Sequence, residues 1–330
     1  MKYLPREECQ KPDTKIWKIA MWGEINDWEL INKLENRNET FEKYLQNNSF
    51  EYGSGLHPKE NENNKILING LHIETSKICK YYTAQDRTKS IQAEFRGNNL
   101  KLFKHPLAII KEGITDASIL SSFFDFDVYY NKAVYGFASQ HKDKVKSISI
   151  IFNSNLAKYY FFLTSSSWGI ERDRIVLVEY LRFPYLELSE VNEIKFIDTD
   201  FDGNNMLLNP KQNNFNKSFW QKRIAYLYGL ERKDLILIND VIQYSIDLFY
   251  KQEYSKALCP VMENQIKEYA IMVTAELNDF ISNNNLFANA TIYSINSFTP
   301  LMVIKISHDK IKKDIFISTE LIDEELKKID

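Results

Sequence analysis

The stretch KHPLAIIKEGITDASILSSFFDFDVYYNKAVYGFA (104–138) decides the fold class. HPLAIIKEG, FDVYY and AVYGFA within it are short β-branched and aromatic runs separated by Gly, Asp, Asn and Ser, the texture of strands joined by turns. ILI (66–68) and KICKYY (77–82) continue that texture upstream. The pattern predicts an α+β fold with antiparallel strands rather than a doubly wound parallel sheet. Downstream, two helices follow: Lys142 to Phe152, with Val145, Ile148 and Ile151 on one side, and Ser154 to Leu163, opened by Asn153 or Ser154. SSSWGIERDR (165–174) then reads as an exposed polar loop, and RIVLVEYLRFP (174–184) as a buried strand stopped by Pro184.

Toward the N-terminus, TKIWKIAMWG (14–23) reads as a strand ended by Gly23. Asn26 or Asp27 caps a helix whose Trp28, Ile31 and Leu34 share a face, and a shorter helical stretch from Asn38 runs through Phe41, Tyr44 and Leu45. EYGSGLHPKENENNK (51–65) is too rich in Gly, Asn and charge to pack a core. Toward the C-terminus the spacing predicts amphipathic helices over Phe215–Tyr228, Glu231–Tyr250 and Pro260–Phe280. The segment 291–318 reads as two or three strands with a turn at His308 and Asp309, before a charged terminal helix. The expected organisation is a connecting segment (1–65), an antiparallel-sheet domain with inserted helices (66–190), and a helical region ending in a small α/β element (191–330).

With 330 residues, 44% of them hydrophobic, the chain can bury a substantial core. No apolar run reaches the roughly 18 residues a membrane span needs, and the first residues lack a signal-peptide apolar region. Cys9, Cys79 and Cys259 are too dispersed for a disulfide framework or a zinc cluster. A cytoplasmic address is expected. The formal net charge of −3 argues on its face against a polyanion partner, yet the segment 77–111 holds eight cations and two carboxylates. It interleaves Lys77, Lys80, Arg87, Lys89, Arg96, Lys101, Lys104 and Lys111 with Tyr81, Tyr82, Phe95 and Phe103, a composition suited to a phosphate-facing surface as well as to a solvated one.

Catalytic patterns are incomplete. Gly53-Ser54-Gly55 has neither the preceding parallel strand nor the following acid of a cofactor-binding loop. Asn209-Pro210 is followed by Lys211 and Gln212, where a base-flipping Asn-Pro-Pro-aromatic motif would carry Pro and an aromatic. DTDFDGNNMLLN (198–209) matches a calcium loop at Asp198, Asp200, Asp202 and Gly203 but ends in Asn209 instead of Glu. Pro12-Asp13 lies far from Glu193-Ile194-Lys195, a poor spacing for a nuclease core, and His72-Ile73-Glu74 lacks the cysteines of a zinc deaminase. His57, His105, His141 and His308 have no metal spacing. Asp173, His141 and the serines 165–167 make no triad without geometry, and there is no Gly-x-Ser-x-Gly elbow.

Four strings together resemble the C-terminal target-recognition region of N6-adenine DNA methyltransferases from restriction-modification and phage-defence systems. They are IWKIAMWG with INDWELINKL (16–34), FKHPLAIIKEG (103–113), IIFNSNLAKYYFFLTSSSWGIERDRIVLVEYLRFPYL (150–186) and AYLYGLERKDLILINDVIQYSID (225–247). The third carries most of the likeness: an Asn-Ser-x-Leu helix, an aromatic run, a Gly-x-x-Arg turn and a segment ending in Pro. The family's cofactor loop and catalytic tetrad are missing here. The resemblance therefore implies a double-stranded-DNA-reading part whose chemistry, with S-adenosylmethionine, belongs to a separate catalytic methyltransferase domain or subunit. It further implies Arg87, Lys89, Arg96, Lys101, Lys104 and Lys111 as phosphate contacts, and Ser166, Ser167, Trp168, Arg172 and Arg174 as closer groove contacts. The alternative is an assembly subunit of a defence complex, bound to its catalytic partner through the long C-terminal helices.

Overall fold

The computed structural model describes residues 4–57, 65–96, 99–188, 191, 217–281, 286–293 and 303–318. They divide into two compact units, 1–257 and 258–330. In chain order the first unit comprises α1 (Arg6–Cys9), α2 (Lys15–Trp22), α3 (Ile25–Arg37), α4 (Phe41–Asn47), β1 (Glu51–Ser54), β2 (Lys65–His72), β3 (Tyr81–Tyr82), β4 (Lys89–Arg96), β5 (Leu107–Lys111), β6 (Ser121–Phe124) and β7 (Val134–Ala138). These are followed by α5 (Lys142–Phe152), α6 (Asn155–Thr164), α7 (Leu177–Leu181), α8 (Lys217–Leu227), α9 (Arg232–Asp240) and α10 (Ile246–Lys251). The architecture is mixed α+β with mostly antiparallel pairing, as the strand texture predicts.

The central sheet has the order β1-β7-β5-β6-β3, antiparallel except where β3 joins β6 in parallel. Its inner strands are buried on both faces, and strand alternation sorts them between two cores. Ala108 and Ile110 of β5, with Tyr135 and Phe137 of β7, face the helical layer. Leu107 and Ile109, with Val134 and Ala138, face a second core. Covering that second face is the antiparallel β2–β4 ribbon, held through Ile68 and the partly buried Ile91 and Phe95. Gly136 is required on this face, because a Cβ there would lie 1.7 Å from the hydroxyl of Tyr130, a fully buried ring that donates to Leu102 O.

In the helical layer, α6 is buried almost all round, as befits a helix at the centre of a core. Ser154 Oγ accepts from Ala157 N and starts it. The hydroxyls of its buried tyrosines are satisfied by α3: Tyr159 donates to Asp27 and Tyr160 to Glu35. Helices α2, α3 and α4 thus share one core with strands that follow residue 66.

Several local expectations are corrected. Residues 15–22 form helix α2, not a strand: Ile16 and Ile19 are buried one turn apart, and Lys18 and Trp22, four apart, both reach the loop after α6. Helix α3 is capped at Glu24, with Asp27 as the residue whose carboxylate accepts the Glu24 N–H. Glu51–Ser54, expected in a loop, pairs with β7, and Leu56 beyond it is buried. FDVYY makes a single isolated bridge, Tyr129 to His72; the strand there is Ser121–Phe124, whose serines are satisfied inside by Ile109 O and Thr83. Residues 177–181 form the short helix α7 because the Glu179 carboxylate turns back to accept from Val176 N and Ser166 N.

After α9, a π-type turn (Val241–Ser245) leads into α10. The second unit holds α11 (Glu263–Ile281), β8 (Phe287–Tyr293), β9 (Val303–Asp309) and β10 (Phe316–Ser318), with sheet order β10-β8-β9. β9 includes His308 and Asp309, so the chain turns after rather than at them. Its small core joins Ile266 and Ala270 of α11 to Ala290 and Ile292 of β8. Asn278 of α11 fastens the sheet by bonding both backbone groups of Ala288.

Candidate functional site

The basic segment 77–111 folds largely as one layer on the second face of the sheet. Its apolar residues Ile78, Leu102 and Phe103 are buried there, with Ile91 and Phe95 packed against them. Lys77, Lys101 and Lys104, next to those positions, and Lys89, two residues before Ile91, are left exposed. Each of the last three carries an exposed carboxylate partner: Lys89 with Glu74, Lys101 with Glu51 and Lys104 with Asp127. Exposed pairs of this kind contribute little net stability, so each ammonium can exchange its carboxylate for a phosphate at small cost. Arg87 lies in the turn before β4, and Arg96 ends β4 opposite Lys65.

Lys101 and Lys104 reach a cavity of about 490 Å³ that they share with His105, His141, Ser49 and Gln140. His141 precedes α5 and is 36 residues from His105 in the chain, a proximity no local motif announces. Asp127 organises one wall, accepting from Lys104 Nζ at 2.6 Å and from both the backbone N–H and Nδ1 of His105. Partial burial pushes its carboxyl upward, but these bonds prevail and hold it at about 2. The same bond raises the Lys104 ammonium above its ordinary value.

The remaining expected residues lie elsewhere. Lys111 is at the opposite end of β5 from Lys104, where its Nζ donates to Thr115 Oγ1 and burial lowers its pKa; it does not join the exposed layer. Arg174 is near it, with Nη1 3.5 Å from Glu112 and a buried Nε that has no partner among the described residues. Arg172 is exposed beside Glu171. Ser166 is exposed but its backbone N–H is held by Glu179, and Ser167 is half-buried.

Trp168 overturns the reading of 165–174 as a wholly exposed loop. It is fully buried against Phe162, and its Nε1 donates to Tyr250 Oη. From α2, Lys18 Nζ donates to Ser165 O at 2.8 Å and to Trp168 O, and Trp22 Nε1 donates to Gly169 O. Gly169 has φ +83°, and a Cβ there would press on the Phe162 ring at 2.9 Å. Lys18 is itself a feature the sequence reading missed: burial lowers its amine to about 7, against a smaller opposing effect of Glu179.

A larger cavity, about 740 Å³, lies between residues 11–15, α3, α6 and α7. Its carboxylates are engaged internally, Glu35 with Lys15 and Tyr160, Asp13 with Lys15 N, and Glu179 as above; Arg182 and Lys11 also line it. Ser54 Oγ is 3.1 Å from His57 Nε2, but among the described residues no carboxylate bonds that imidazole, so a triad is not completed. The described residues contain no metal-binding cluster and no helix long and apolar enough to cross a membrane. The calcium-like loop 198–209 and Glu193-Ile194-Lys195 lie outside the described residues. No family model matches the chain, and no curated protein matches it.

Proposed function

We propose that the chain is a sequence-specific DNA-recognition module of an adenine-specific methylation or restriction-modification enzyme, with catalysis and S-adenosylmethionine supplied by a separate domain or subunit. The observation that carries this reading is the layer built from the basic segment: apolar residues sealed on the sheet, and Lys77, Lys89, Lys101 and Lys104 outside. A fold that buries a segment's apolar half and exposes its cations on one layer creates a sequence-independent phosphate-binding surface, the first requirement of duplex binding. The test is fluorescence anisotropy with a labelled duplex across salt concentrations. Affinity is expected to fall linearly in log–log form, and joint substitution of Lys89, Lys101 and Lys104 by Ala should shallow the slope by about 2.7, or about 0.9 per phosphate contact. An absence of duplex binding at low salt, or an unchanged slope, rejects the proposal.

A second reading, an assembly subunit of a defence complex, is favoured by α11. Its inward residues are Ile266, Ala270 and Thr274, while Tyr269, Met272 and Phe280 are exposed, Phe280 by 87%. Such a stripe suits docking to a protein partner. Co-purification with a methyltransferase subunit, lost on Tyr269→Ser with Phe280→Ser, would support it.

A further inference from the structure

We propose that the β2–β4 ribbon is the part that enters the DNA major groove, and that Asn69 and Gln92 read an adenine there. This rests on the DNA-binding reading above and adds to it which element reads bases. The two residues are directly opposed in the ribbon's register. Strand alternation puts Ile68, Ile91 and Phe95 toward the second core and Leu67, Asn69 and Gln92 outward, where all three are exposed. Among the described residues, neither side-chain amide is committed to a hydrogen bond. Asn is disfavoured in strands, and Leu67 leaves 64% of its surface in water, so strand stability explains neither.

The ribbon has the right dimensions and charge for this occupant. Two strands about 4.8 Å apart, with side chains, match a groove about 12 Å wide, which admits a two-stranded ribbon. Residues 65–96 carry six cations and three carboxylates in a chain whose net charge is −3. The register places positions 65 and 96 at one end of the ribbon, in phase with the amides, while Lys89 at the other end is in phase with Ile91 on the opposite face; Glu94, opposite Leu67, is on the amides' face. Cations at the ribbon's ends can set the phosphate register while the amides meet base edges. An Asn or Gln amide accepts from adenine N6 and donates to N7, and Leu67, two residues from Asn69 on the same face, offers apolar contact to a thymine methyl.

The experiment is selection of bound duplexes from a random-sequence DNA pool by the full chain, followed by sequencing. The wild-type chain is expected to enrich a motif containing adenine. Joint Asn69→Ala and Gln92→Ala substitution should lower preference at the adenine positions about tenfold to a hundredfold, while total duplex affinity and salt slope stay near the wild-type values. Gln92→Glu, which lacks the amide donor and can accept from cytosine N4, should shift one position from adenine toward cytosine. Duplex RNA should compete poorly, because its deep, narrow major groove excludes a ribbon. An unchanged motif in these variants, with melting temperatures also unchanged, overturns the ribbon assignment and leaves DNA binding intact. Wild-type binding without any motif also overturns it. Failure of the wild-type chain to bind duplex at all removes the underlying reading and this assignment with it.

Discussion

Lys18 concentrates a physical problem in a single side chain. Its amine is buried beside the Phe162 ring, and its hydrogen bonds go to the carbonyls of Ser165 and Trp168 rather than to a carboxylate. Desolvation therefore dominates over the field of Glu179 and brings the pKa to about 7. Two donors suffice for two carbonyls, so the neutral amine keeps the contacts without the cost of a buried charge. In the unfolded chain the same amine titrates near its ordinary value of 10.5. Between these two values the unfolded state binds more protons than the folded state, so stability from this group rises with pH across that interval. The stability of the wild-type chain relative to Lys18→Met is expected to increase by about 2 kcal/mol from pH 7 to pH 9, read from urea midpoints of both proteins. Comparing the two proteins cancels the titrations they share. A difference that is flat with pH would mean that the amine is solvated and charged in the fold.

At the scale of elements, Ser165–Gly169 is held from three directions: by Lys18 and Trp22 of α2, by Tyr250 of α10, and by Glu179 of α7. Trp168→Phe removes the bond to Tyr250 and leaves a partial cavity, an expected loss of about 2 kcal/mol in urea unfolding. Duplex affinity should not change, since the ring is enclosed; weaker binding at unchanged stability would return Trp168 to a groove contact. This clamp also shows where the sequence is legible. Helices α5 and α6 can be read locally, because Ser154 caps α6 three residues away and each helix keeps its apolar period. Helices α2 and α7 cannot, because their β-branched and aromatic residues favour strands locally; for α2 the deciding bond is distant, Lys18 to Ser165 spanning 147 residues, while α7 depends on the short reach of Glu179 back to Val176 N. Strand β6 is hidden by Ser121 and Ser122, whose polarity is satisfied by Ile109 of β5 and by Thr83, just after β3. The candidate site divides in the same way. Lys89, Lys101 and Lys104 stand out as a run of charge, whereas the seclusion of Lys111, the proximity of His105 to His141 and the outward pairing of Asn69 with Gln92 all follow from strand placement.

For the whole molecule, the division at residue 257 separates two kinds of surface. The exposed cations of the segment 77–111, the β2–β4 ribbon and the cavity of Lys101 and Lys104 all belong to the first unit, together with both faces of its own sheet core. The exposed stripe of Tyr269, Met272 and Phe280 belongs to the second, whose core is the smaller set around Ile266, Ala270, Ala290 and Ile292. A unit with two filled cores has what it needs to fold without the other, since stability follows from apolar area buried within it. A chain ending at Ala257 is therefore expected to unfold in one cooperative transition and to bind duplex DNA with the full chain's salt slope, since no phosphate contact assigned above is lost. It should at the same time lose any association that depends on the α11 stripe. Urea unfolding, anisotropy and co-purification on the same truncated protein separate these roles. If the truncated chain is folded but no longer binds duplex, the second unit contributes essential contacts, and the basic layer alone is insufficient for recognition.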